Sequence, residues 1–138
     1  MAVPKIWRKI PEYYNLIGRR CSDCQEFYFP GREVCVKCGS SNLNEQKFLG
    51  KGKIVTYTII RTPFTDPEGE ITEVSCRSIP YALAIIQLDE GPMLTAEIVD
   101  CSFEDIEIGN KVEVVFRKIL EKGEKGVIQY GYKFKIVR

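Results

Sequence analysis

Two Cys-x2-Cys pairs, Cys21-Ser-Asp-Cys24 and Cys35-Val-Lys-Cys38, stand ten residues apart in this chain. Each pair places two sulfurs on one tight turn, and a hairpin between them can bring the pairs together. That spacing fits a tetrahedral four-cysteine zinc site. The intervening segment is strand-like over Phe27 to Phe29 and turn-like at Pro30-Gly31. A zone of about 20 residues is too small for a hydrophobic core of its own. Metal binding supplies what packing cannot; apparent zinc affinities in such peptides reach roughly 10–16 kcal/mol. Four thiolates leave a zinc site at about −2, and Arg19, Arg20, Arg32 and Lys37 are near enough in sequence to offset that. The alternatives are two disulfides or a redox Cys-x2-Cys. A cytosolic chain disfavours the first, and the second lacks its strand–helix context here. Four protein ligands close the coordination sphere, so the expected metal is structural rather than catalytic.

The chain has 138 residues, enough for one ordinary domain or two small ones. It contains no histidine, which removes Ser-His-Asp catalysis, Cys-His catalysis and zinc sites of mixed cysteine and histidine ligands together. Hydrophobic residues at 44% and charged residues at 28% describe a globular chain. The longest uncharged run, Ser78 to Leu88, falls short of the ~18 residues a membrane helix needs. The first residues lack an apolar h-region, so the expectation is a cytoplasmic protein with no membrane partner. Cys76 and Cys101 lie outside the paired knuckles. They read as small buried thiols, with a disulfide between them left open. A nucleophilic role would need an activating neighbour, and no histidine is there to provide one.

Charge is blocked along the chain. Residues 1–40 sum to +3, residues 41–110 to −7 and residues 111–138 to +5. An acidic middle between basic ends argues against a chain built to neutralise nucleic-acid phosphates. It allows a local anion site or an electrostatically matched protein partner.

Three zones follow from the pattern. Residues 1–20 form an arm, with Pro11 at a helix start and Gly18 past its end. Trp7, Tyr13, Tyr14, Leu16 and Ile17 load it with apolar surface, and so short a helix must dock on something. Residues 21–47 hold the cysteine pairs. Residues 48–138 read as strands: Lys53 to Arg61, Tyr81 to Leu88, Met93 to Val99, Lys111 to Ile119 and Val127 to Val137. Turn signals separate them at Asp89 to Pro92, Ile108 to Asn110 and Lys122 to Gly126. Five strands in under 100 residues predict a mainly β chain ending in a small antiparallel barrel, with Gly50 and Gly52 allowing a sharp bend at its entry.

The run from Cys21 to Ser40 resembles the DUF35 family, a rubredoxin-like zinc ribbon followed by a five-stranded OB-fold barrel. The likeness continues through Gly50-Lys-Gly52, Val55-Thr-Tyr-Thr58, Pro80-Tyr-Ala82, Leu88-Asp-Glu-Gly-Pro92 and Ile108-Gly109. Trp7-Arg8 and Tyr14-Asn-Leu-Ile-Gly18 look like the family's N-terminal helical arm. Two departures stand out. Gln25 occupies a knuckle position where the family often has Gly, and Phe29-Pro-Gly-Arg32 replaces Phe-Pro-Pro-Arg. The resemblance implies a non-catalytic, acyl-CoA-binding scaffold subunit. It would partner a thiolase-like or related condensing enzyme of lipid or isoprenoid-precursor metabolism.

A CoA ester asks for cations or exposed N–H groups at its phosphates and an apolar groove for its acyl arm. The candidates for the phosphates are Arg19, Arg20 and Arg32 by the ribbon, and Arg117, Lys118 and Lys122 on the fourth strand and its turn. OB barrels commonly bind across their second and third strands. The connection from Thr62 to Ile79 is long, acidic and suited to neither phosphate nor oligonucleotide. The competing hypothesis is a single-stranded nucleic-acid-binding zinc-ribbon/OB protein, with Phe27, Tyr28, Phe29, Tyr57, Tyr130 and Tyr132 available for stacking. Alternation turns many of these into the barrel. The arm is the expected protein contact, in a homo-oligomer or with the partner enzyme.

Overall fold

The computed structural model describes residues 3–62, 79–121 and 128–138. The expected Lys122 to Gly126 turn, Lys122 as a phosphate candidate, Cys76 and the interior of the Thr62 to Ile79 connection lie outside those residues. Among the described residues no helix is long and apolar enough to cross a membrane.

The arm is two one-and-a-half-turn helices rather than one, α1 (Val3–Arg8) and α2 (Ile10–Asn15). Pro11 sits at the start of α2, where its missing N–H costs nothing. The helix ends earlier than Gly18 would place it. Leu16 turns left-handed at φ 53°, its N–H bonding back to the Glu12 carbonyl at 3.1 Å, and its side chain is buried. Ile17 to Arg20, expected in the arm, are instead strand: β1 (Ile17–Cys21) pairs with β2 (Phe27–Tyr28) and with β3 (Leu43–Lys47). Gly18 belongs to that sheet for a packing reason. A Cβ there would run into the Tyr28 carbonyl and the Phe48 ring.

The barrel comprises β4 (Lys51–Ile60), β5 (Tyr81–Leu88), β6 (Met93–Val99), β7 (Lys111–Glu121) and β8 (Ile128–Ile136). Its order is β4-β5-β6-β8-β7, and β7 returns to pair with β4, closing it. The expectation of an all-antiparallel barrel needs one correction. β6 and β8 run parallel, pairing Ile98 with Phe134 and Val99 with Lys135. The chain crosses over between β6 and β7, through a 3-10 turn at Phe103–Asp105, so β8 enters beside β6 in the same direction.

Period-two alternation fills the barrel. Ala82, Ala84, Ile86 and Leu88 of β5 face Leu94, Ala96 and Ile98 of β6, with Ile54, Val112 and Phe134 closing the centre. Leu16 from the arm and Phe48 from the ribbon–barrel link belong to the same buried cluster. Both glycines at the barrel entry are required by close approach. Gly50 has φ +74° and a Cβ there would strike the Val114 side chain, while a Cβ on Gly52 would strike the Gln87 carbonyl. The ribbon keeps a separate small cluster of Cys21, Cys35 and Leu43.

Candidate functional site

The ribbon brings together all four paired cysteines. The sulfurs of Cys21, Cys24, Cys35 and Cys38 lie within 4.8 Å of one another. Cys21 and Cys38 stand 3.6 Å apart and Cys24 and Cys35 3.4 Å apart. A tetrahedron with Zn–S bonds of about 2.3 Å has edges of about 3.8 Å, so the cluster is already at the size zinc needs. The residues fit a closed zinc site with no open position for chemistry.

Both knuckles fold alike. Gln25 N–H reaches the Cys21 carbonyl at 3.0 Å, and Gly39 N–H reaches the Cys35 carbonyl at 2.9 Å. Each knuckle therefore ends on a left-handed residue, Gln25 at φ 64° and Gly39 at φ 74°. Gln25 tolerates this because its own side-chain amide donates to the Ser22 carbonyl at 2.6 Å. Cys35 and Cys38 are pushed in opposite directions. The Tyr28 hydroxyl, 3.2 Å from Cys35 Sγ, draws that thiol down to about 6. At Cys38 a backbone hydrogen bond from Ser40 acts downward, but the hydrogen bond with Cys35 and burial outweigh it and push the thiol up to about 12.

The candidate cations do not form one cluster. Arg19 pairs with Glu33 at 3.3 Å, and Arg20 lies 5.0 Å over the Phe27 ring. Arg32 stands 5.9 Å from the Tyr28 ring centroid. Arg117 pairs with Asp100 at 2.7 Å and Lys118 with Glu121 at 2.5 Å. Lys37 is held by Glu26 at 3.0 Å. Cations already matched to carboxylates have less to offer a phosphate.

The structure adds a site that the sequence did not single out. Where α2, the ribbon loop and the barrel meet, a groove of about 510 Å³ is lined by Tyr13, Phe29, Pro30, Ile85, Met93, Leu94 and Tyr132, with Glu12 and Thr95 as its polar members. Ile85 of β5 and Met93, Leu94 and Thr95 of β6, the barrel's second and third strands, form part of its wall. Tyr132 is its hinge point. Its ring stacks on Tyr13 at 6.3 Å and meets Phe29 edge-on at 5.6 Å. Burial pushes its hydroxyl up to about 12, with Tyr13 and Glu12 adding to the effect. The signal available in the sequence was the alternation in β8, but alternation cannot say which aromatic looks out of a barrel end.

One further position differs from the alternation reading. Tyr130 faces outward and stacks on Phe116 at 5.6 Å, and Tyr14 caps that pair edge-on at 5.0 Å. In the arm, Tyr13 and Tyr14 dock on the barrel while Trp7 remains 65% exposed. Cys101 is partly buried against the core.

Residues 8–44 match the family model described as ChsH2, rubredoxin-like zinc ribbon domain, and residues 45–117 match ChsH2, C-terminal OB-fold domain. A DUF35 domain-containing scaffold protein of Methanothermobacter thermautotrophicus is 48% identical over 132 residues, covering 95% of this chain and 93% of that protein. One from Pyrococcus furiosus is 45% identical over 136 residues, covering 98% and 93%. Among solved structures, the Ltp2-ChsH2(DUF35) aldolase superposes with a TM-score of 0.71 at 23% identity, covering 96% of this chain and 92% of that one.

Proposed function

This chain belongs to the DUF35 family, and on that premise we propose that it is a non-catalytic scaffold subunit whose partner is a thiolase-like or related condensing enzyme, and that it binds the acyl-CoA ester that enzyme handles. The relatives' description as scaffold proteins supports the first half. Zinc held by Cys21, Cys24, Cys35 and Cys38 would serve as the fold's staple, not as a Lewis acid, because the four thiolates complete its coordination.

The observation that carries the ligand half is the junction groove. It is walled by aromatic and aliphatic side chains with two polar members, the lining that a pantetheine and acyl arm requires. Three parts of the chain contribute to it, so ligand and partner contacts would report on one another through Tyr13, Phe29 and Tyr132. Trp7, exposed on α1 beside the docked α2, is the side chain best placed to anchor a partner or a second copy.

A short acyl-CoA titrated into the zinc-loaded chain and into Thr95→Trp tests the groove. Thr95 is exposed on β6 and lines the groove, so the indole fills the cavity without opening the core. Saturable binding lost in the variant supports the reading; equal binding by both means that the ester sits elsewhere.

The nucleic-acid reading has one observation in its favour, the outward stack of Phe116 and Tyr130. Its neighbours along β7, Arg117 and Lys118, are already engaged by Asp100 and Glu121, so these two described cations have less to offer a nucleic-acid backbone.

A further inference from the structure

The closing pair of the barrel contains an arrangement that the sheet does not need. Lys53 of β4 stands directly across from Lys111 of β7. Like charges in direct cross-strand register repel. Lys51 lies two residues along β4, and so on the same face, opposite Glu113. All three lysines are exposed, and among the described residues no carboxylate pairs with any of them. Lys51 acts on Glu113 across the pair, but the ion pair that Glu113 forms is with Lys135. Lys135 holds it at 2.9 Å, and that hydrogen bond keeps its carboxyl below the usual range.

These lysines line a hollow of about 480 Å³ with Asp89, Gly109, Val112, Glu113 and Val137. None of its residues lines the junction groove. With Glu113 held by Lys135, the lining carries three lysines against one remaining carboxylate, Asp89. The excess of positive charge is concave and compact. An extended acidic protein surface would meet Asp89 and Glu113 in the walls as well as the lysines. A small ligand with two or three closely spaced negative groups can bridge Lys53 and Lys111 while meeting less of the wall carboxylates than an extended surface would.

We propose that this hollow binds a compact polyphosphate group through Lys51, Lys53 and Lys111. Bridging Lys53 and Lys111 with phosphate oxygens turns their mutual repulsion into attraction. The phosphate chemistry has two sources, a free pyrophosphate or the phosphate-bearing end of CoA, and the test separates them.

The zinc-loaded full-length chain is titrated calorimetrically at low salt with inorganic pyrophosphate and, separately, with CoA. The same is done with the Lys53→Gln/Lys111→Gln double variant and with Thr95→Trp. Pyrophosphate binding should weaken roughly tenfold or more in the double variant, be unchanged in Thr95→Trp and decline as salt rises. The melting temperature of the double variant without ligand should be no lower than that of the parent, because the repulsion is gone. CoA displacing pyrophosphate identifies CoA as the source, and pyrophosphate binding indifferent to CoA identifies a free polyphosphate. No heat with pyrophosphate into the millimolar range overturns the proposal. So does equal affinity in the double variant, or preference of the same lysines for a glutamate-rich peptide over pyrophosphate. Because pyrophosphate cannot report on the junction groove, failure there leaves this site standing, and the reverse holds too.

Discussion

Phe29 of the ribbon loop meets Tyr132 of β8 edge-on, with ring centroids 5.6 Å apart. Phe48 joins them from the link, 6.0 Å from Phe29, and is itself buried. The ribbon is therefore fastened to the barrel by an aromatic joint, and the groove exists because that joint holds its two walls together.

Phe29→Ala should loosen the joint. Removing a partly buried ring with two aromatic partners costs about 2–3 kcal/mol. Denaturant unfolding should show that loss. The zinc content should stay at one per chain, since the cysteines belong to the ribbon's own separate cluster. Acyl-CoA affinity should fall with it, because Phe29 is also a groove wall.

Zinc should be present at one ion per chain in freshly purified protein, and Cys35→Ser should lose it. Metal analysis gives the number. Far-UV circular dichroism of the variant should keep its strand signal, since the barrel core does not include the ribbon cluster. Less than about half occupancy in the parent, with all four thiols alkylating freely, would contradict a structural metal.

Gln25 gives a sharper test of the knuckle. Gln25→Gly relieves a left-handed residue but forfeits the bond to the Ser22 carbonyl, two effects of about 1 kcal/mol each in opposite directions. Stability and zinc content should stay near the parent's. Gln25→Val combines a β-branched side chain at φ 64° with loss of that bond, and should release zinc to a chelator several-fold faster.

Cys101 should alkylate slowly at pH 8 in the folded protein. Burial raises its thiol above the usual value and Asp105 adds to the rise, so less thiolate is present than for a free cysteine. Peptide mapping after timed iodoacetamide treatment reads this directly. The rate should climb toward the free-thiol value on unfolding.

Much of this was legible beforehand because it is written in local patterns. β5 and β6 begin and end where alternation places them, at Tyr81 to Leu88 and Met93 to Val99. The cysteine spacing anticipated a four-sulfur cluster. What stayed hidden depends on distant contacts. β3, Leu-Asn-Glu-Gln-Lys, has one buried apolar residue and no β pattern; only pairing with β1 makes it a strand. Leu16 adopts a left-handed turn that its side chain disfavours, in return for burial against the barrel. Parallel pairing of β6 with β8 follows from the crossover, not from either strand's sequence. The groove draws on residues from Glu12 to Tyr132, which no window along the chain contains.

A scaffold that seats an acyl-CoA ester and docks a condensing enzyme should form a lasting complex with that enzyme. The most direct measurement is light scattering on size-exclusion chromatography of the zinc-loaded chain mixed with a purified thiolase-like condensing enzyme, with and without the acyl-CoA. The expected result is a stable joint peak of the summed mass, weakened by Trp7→Ala on the exposed arm helix. Two separate peaks under every condition, from a chain with intact zinc and barrel, would contradict the scaffold role.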